Sequence, residues 1–192
     1  GSVLMHAYIY IIAGLSVIPQ CVVIWTSFRK THMQIFVDGY SFKSYRDVFG
    51  KAVSSISNTY VYGFAAILII IVIGMLVAYL SVRRKSWLTN LIDTTAMFPY
   101  IIPGSVLGIT LLLAFNKGAI VLSGTAAIII ISLVIRRMAY TLRSSSAILY
   151  QISPSMEEAA ISLGDSPSKS FFKVTAKMMM PGVLSGAILS WI

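Results

Sequence analysis

The sequence predicts an all-α fold, a polytopic bundle of transmembrane helices, and three observations carry that expectation. Of its 192 residues 57% are hydrophobic and only 11% charged, far from the balance of a water-soluble domain. The uncharged stretches are long: 7–28, 52–82, 94–116 and 118–135. Each reaches about the 18–20 residues that a helix needs to cross a hydrocarbon layer. The 15 Lys and Arg against six Asp and Glu sit mostly at the ends of these stretches, where they anchor helices at the interface. In lipid the backbone must satisfy its own hydrogen bonds, so repeated apolar runs mean helices.

Four full spans are expected near 7–28, 57–82, 94–115 and 119–137, with a truncated fifth from Pro181 onward. Residues 29–56 hold five basic and two acidic residues among many aromatics, enough for a loop with a short surface helix. A short link opens with Arg83, Arg84 and Lys85, Asn116-Lys117-Gly118 makes a tight turn, and 138–180 forms a long loop with helices of its own. Placing 83–93 and 136–180 in the cytoplasm collects nine Lys/Arg there against six outside, as the positive-inside rule prefers. The opening Gly-Ser without a Met and the stop at Ile192, part-way through an apolar helix, are what a piece of a longer polypeptide would show.

Several function classes find no support. Basic residues at span ends are not the water-facing cluster that nucleic acid requires, so no nucleic-acid partner is expected. Cys21 is alone, and His6 and His32 are far apart, which leaves no disulfide or metal framework. No His-Glu-x-x-His helix or intramembrane cluster of acids and histidines marks an enzyme. Residues 7–28 are too long for a signal peptide's apolar core.

Within the spans, Gly104/Gly108 and Gly182/Gly186 have the small-xxx-small spacing that lets helix backbones approach closely. Pro99 and Pro103 bracket Tyr100 in "PYIIPG", before Gly104. Prolines there free backbone carbonyls, either along a translocation pathway or at a plain packing kink. Asp93 lies just inside the third span and is a transport candidate by position; its closeness to Arg83–Lys85 favours an anchoring ion pair.

The segment 153–181 is the most specific. Ser153-Pro154 places a cap before a proline at the first helical position, and Ser155-x-x-Glu158 also fits a capping box. Ala159, Ala160, Ile161 and Leu163 favour helix, and Gly164 suits its left-handed end. Ser166-Pro167 then starts a second helix, which Pro181 is expected to end. That helix is amphipathic: Lys169, Lys173 and Lys177 form a basic stripe suited to lipid headgroups or solvent, and Phe171, Val174 and Met178 an apolar face. Met178–Met180 reads as adaptable packing. The first helix, with Glu157 and Glu158 beside two alanines, is either a well-capped connector or a knob shaped for a groove on a partner.

"EEAAISLG", followed by an apolar residue ten positions on, resembles the EAA loop of ABC-importer membrane permeases. The pattern falls on Glu158, Ala159, Ala160, Gly164 and Val174, while Ala176-Lys177 stand where the family usually has Leu-Pro. "YSFKSYRDVF", "PYIIPGSVLGI" and "RRMAYTLRSSSAILYQISPSMEEAA" look similar to the same family, most of all its ferric-iron members. The resemblance implies a type I importer fold and one permease domain over 1–192, incomplete at its C-terminus and part of a longer permease, either a six-helix subunit or a fused double one. It implies that 138–180 is a cytoplasmic coupling loop whose Glu157, Glu158, Ala159, Ala160 and Gly164 seat in an ATPase. Further implied are a cytoplasmic ABC ATPase dimer, a second permease half, an extracytoplasmic solute-binding protein, and a pathway near Pro99, Tyr100, Pro103 and Gly104. No Gly-rich phosphate loop with Lys-Ser/Thr occurs, so ATP is expected to be used by the partner and no cofactor or metal to be bound by this chain. The substrate so implied is ferric iron or a similar small solute such as a phosphonate or polyamine. The rival reading is an ATP-independent carrier or channel, which usually needs ion-coupling groups at the bilayer midplane, and those are scarce here.

Overall fold

In the computed structural model, which describes residues 2–33 and 35–191, the chain divides into two compact units, Gly1–Asn58 and Thr59–Ile192. The first unit opens with α1 (Ser2–Ser27), whose apolar side chains face outward along its length, as lipid contact demands. An antiparallel hairpin follows, β1 (Arg29–His32) with β2 (Ile35–Tyr40), and then α2 (Lys43–Lys51). The surface helix was legible in the sequence and the hairpin was not. Phe28 packs edge-on against Phe42 at 5.6 Å and lies tilted against Tyr45 at 5.5 Å, and the Arg29 guanidinium lies over the Trp25 and Phe36 rings.

The second unit is built on α3 (Val53–Arg83), 31 residues with a mean hydropathy of 2.8 in its most apolar window. Ser86 then caps α4 (Trp87–Thr95) in a capping box with Thr89. After α4 come α5 (Phe98–Ile101) and α6 (Gly104–Ala114), and the α4–α5 arm meets α6 at a 110° bend. The expected third span is therefore not one straight helix but a bent pair, either a broken span or a re-entrant loop. Ile102 precedes Pro103 and is extended, with φ −74° and ψ 129°, as the proline ring requires of its neighbour. Among the described residues, Val3–Ser27 and Val53–Arg83 are long and apolar enough to cross a membrane, and the bent pair can supply a third crossing.

Two boundaries differ from the sequence expectation. The turn after α6 runs over 115–125 instead of three residues; Gly118 (φ +110°) and Gly124 (φ +79°) both take left-handed conformations in it, and the Thr125 hydroxyl donates back to the Leu122 carbonyl just before the next helix. That helix, α7 (Ala126–Gln151), starts later than predicted and continues through residues assigned to the loop. Nothing between Arg136 and Gln151 breaks a helix; the chain turns only at Ile152, ahead of Ser153-Pro154.

The loop proper holds α8 (Pro154–Ser162) and α9 (Pro167–Ser170), then a π-helical turn, Phe171–Thr175, leading straight into α10 (Ala176–Trp191). Pro181 does not end the second helix but lies inside α10. The reason is packing: Gly182, Val183, Gly186, Ala187 and Ser190 on the following turns are buried. A Cβ on Gly186 would lie 2.6 Å from the Thr141 backbone, and one on Gly182 2.9 Å from the Ser144 carbonyl oxygen. Small residues let α10 and α7 touch backbone to backbone. The Ser144 hydroxyl donates to the Gly182 carbonyl at 2.7 Å, and Thr141 and Ser190 share a hydrogen bond at 3.0 Å. The other small-residue pair makes no such approach, since Gly108 faces open space. Ala78, Leu142, Leu149, Met179 and Val183 form the core under the loop.

Candidate functional site

The loop after α7 is held by a set of side-chain hydrogen bonds and ion pairs. The Ser153 hydroxyl caps α8, accepting from the Ser155 N–H, with Pro154 in its first turn. The Ser155 hydroxyl is bonded to Ser153, so Ser155 and Glu158 do not form the capping box that their spacing allowed. The Ser153 cap satisfies one of the orphan donors at this end, and Pro154 has no N–H to satisfy. At the other end Gly164 has φ +97°, its N–H donates to Ile161 at 2.9 Å, and the Asp165 N–H reaches back to Ala160 at 3.1 Å. That pair of bonds is a Schellman ending, and the glycine supplies the left-handed residue it needs.

The two acids part company. Glu158 is exposed, as are Ala159, Met156 and Leu163, the last at 89%; Ala160 is half-buried. Glu157 points inward at 9% exposure, and its carboxylate accepts the Tyr79 hydroxyl at 2.5 Å and the Thr175 hydroxyl at 2.8 Å. Its backbone carbonyl accepts the Ser170 hydroxyl at 3.0 Å. Glu157 therefore does not share the outward face on which the sequence reading placed it. Tyr79, Thr175 and Ser170 were missed because Tyr79 reads as one more residue of an apolar run; only the fold brings it to the loop.

After the Schellman turn, Ser166 caps α9, and Asp165 pairs with Lys169 at 2.8 Å and Lys173 at 3.1 Å. Two lysines of the expected basic stripe are thus engaged with this acid, while Phe171 of the apolar face is buried. Hydrogen bonds from Lys169 first and Lys173 second hold the Asp165 carboxyl below the usual carboxylate range. A depressed acid stabilises the fold above its unfolded value, about 3.9 for Asp, and loses that contribution as pH falls through the lowered value. Asp165→Asn should thus remove part of the acid sensitivity of this turn, read as hydrogen exchange at Gly164–Lys169 between pH 7 and pH 3.

At the bend between α5 and α6, Pro99 lies in the first turn of α5 and Pro103 precedes α6. Tyr100 meets Tyr140 of α7 edge-on at 5.4 Å, and the Arg136 guanidinium lies against Gly104 where a Cβ would sit. Asp93 does form an ion pair, but with Arg143 of α7 at 2.9 Å instead of the Arg83–Lys85 cluster. Seven or more residues of chain, α4's capped start included, separate Asp93 from that cluster, whereas α7 runs alongside. Half of the Arg143 side chain is exposed, so Asp93→Asn should cost no more than about 1 kcal/mol in thermal unfolding. No group of three potential metal ligands occurs among the described residues.

Residues 70–192 match the family of binding-protein-dependent transport system inner membrane components. The chain belongs to this family. These are membrane permease subunits of ABC transport systems and are not themselves enzymes. The permease is 31% identical over 155 residues to a Haemophilus influenzae protein named as a ferric transport system permease, covering 78% of this chain and 24% of that one. A ferric transport system permease of Actinobacillus pleuropneumoniae is also 31% identical, over 154 residues, 78% of this chain and 22% of the relative. A 2-aminoethylphosphonate transport system permease of Salmonella typhimurium is 26% identical over 178 residues, 90% of this chain and 66% of its own. The chain thus spans about a quarter of the length of the two ferric relatives.

Proposed function

We propose that this permease lines the translocation pathway of an ATP-driven importer for ferric iron or a similar small solute, and that α8 couples it to a cytoplasmic ATPase. The observation that carries the reading is the outward face of α8. Met156, Glu158, Ala159 and Leu163 are exposed on a helix fixed at both ends by caps, and apolar side chains clustered beside an acid on a rigid stub suit a partner's groove. The solute would come from an extracytoplasmic binding protein and pass between this half and a second permease half. The elbow Pro99–Gly104, with Tyr100 against Tyr140 and Arg136 against Gly104, is the stretch of wall we assign to that path.

Glu158→Arg tests the coupling. Its side chain is exposed, so the permease should still insert and fold, while a cation in the groove should cut ATPase co-purification and ATP-driven uptake by about tenfold or more. Normal uptake in this variant, or uptake that persists without ATP while a proton or sodium gradient remains, would favour a carrier instead. The phosphonate relative, matched over most of its length, makes a phosphonate the second substrate to examine. The ligand found in the co-purifying binding protein decides between the two.

A further inference from the structure

Glu157 stands beside the proposed docking face yet is turned away from it; two separate elements meet at its carboxylate and a third at its backbone carbonyl. Tyr79 comes from the last turns of α3, Thr175 from the π turn that feeds α10, and Ser170 from the end of α9. The Tyr79 ring is itself held edge-on against Phe171 at 4.6 Å. One turn further along α3, the Arg83 guanidinium donates to the Ile152 carbonyl at 2.7 Å, the residue that closes α7 just before α8. The loop helix is therefore gripped by α3 at two points, one on each side of Ser153-Pro154.

We infer that Glu157 is a positioning residue that carries displacement of α8 into α3 and α10, and that it makes no contact with the ATPase. The inference rests on the reading that α8 seats in that partner. Its physical basis is the cost of slippage. Apolar contacts let helices slide with little change in area, whereas moving α8 against α3 would strip the buried carboxylate of a charge-assisted bond. An unpaired buried acid is costly enough that α3 follows α8. The π turn that carries Thr175 runs straight into α10, so the bond to Glu157 reaches the start of that helix.

The complete transporter, reconstituted with its ATPase and binding protein in liposomes, tests this. Glu157→Gln keeps the size of the side chain but weakens its acceptance of two hydroxyl bonds, and Tyr79→Phe removes one hydroxyl while keeping the Phe171 contact. Both should retain ATPase at the wild-type level, yet the ATP hydrolysed per solute imported should rise about tenfold, the effect of losing one bond to a charged group. The double variant should be no worse than Glu157→Gln alone. Thr175→Val should act in the same direction and Thr175→Ser should not, and these two read the linkage even where Glu157→Gln fails to fold. A wild-type ATP-to-solute ratio in Tyr79→Phe and Thr175→Val, or release of the ATPase by Glu157→Gln, overturns the inference. Glu158→Arg, run alongside, separates the two levels. If it keeps the ATPase bound, the docking reading fails; if it releases the ATPase while the Tyr79 and Thr175 variants stay coupled, only the linkage fails.

Discussion

Gly186→Val should unseat α10 from α7 and leave the permease largely unfolded in detergent well below the wild-type melting temperature. A Cβ at this position would stand 2.6 Å from the Thr141 Cα, 3.0 Å from the Ser144 Cβ and 3.1 Å from the Tyr140 carbonyl oxygen. Two of these neighbours are backbone atoms of a helix and cannot swing aside. Relief requires the two helices to separate, which also stretches the Ser144–Gly182 and Thr141–Ser190 hydrogen bonds. Overpacking of this kind costs about 1–3 kcal/mol for a methyl group and more for a branched side chain. Gly186→Ala should therefore be intermediate. Gly108→Ala is the control: a Cβ there meets nothing within 4 Å, and alanine is the better helix former by up to about 1 kcal/mol. Equal melting temperatures for Gly186→Val and Gly108→Ala would mean that α7 and α10 are not held by this backbone contact.

A second large effect is expected at Gly164, for a different reason. No atom lies within 4 Å of a Cβ built there, so space does not demand glycine; its φ of +97° does. A β-branched residue in that conformation costs about 1–2 kcal/mol and would give up the bonds from Gly164 and Asp165 that close α8. Gly164→Val should leave insertion and the α7–α10 packing intact while the end of α8 frays. ATPase co-purification and ATP-driven uptake should then fall about tenfold. Gly164→Asn, which tolerates left-handed backbone, should recover most of both. Equal loss in the two variants would point to bulk in the groove as the cause, and full activity in both would remove α8 from the coupling path.

These expectations show where local chemistry sufficed and where it did not. The Ser153-Pro154 and Ser166-Pro167 starts and the Gly164 stop were legible because caps and left-handed glycines act within a few residues of chain. The prolines of 99–103 announced a disturbed span but not its 110° turn, since a proline fixes the local dihedral and leaves the direction of the onward helix to what it packs against. Pro181 misled for the same reason in reverse. Its local preference to end a helix is outweighed by the burial of Gly182, Val183 and Gly186 on α7. The hairpin at 29–40 carried no alternating pattern to read, being exposed on nearly every residue of both strands.

What the sequence determined by itself was everything set by solvent and short range: long apolar helices, and a capped, glycine-stopped helix apart from them. The tertiary structure alone decided the roles of the two adjacent acids. Glu157 and Glu158 are the same residue type one step apart on one helix, about 100° around its axis, so local chemistry treats them alike. Burial at Tyr79, Thr175 and Ser170, brought together from three elements distant in the chain, turns one inward and leaves the other exposed. A polar group's part depends on what surrounds it, and for Glu157 those surroundings exist only in the folded chain.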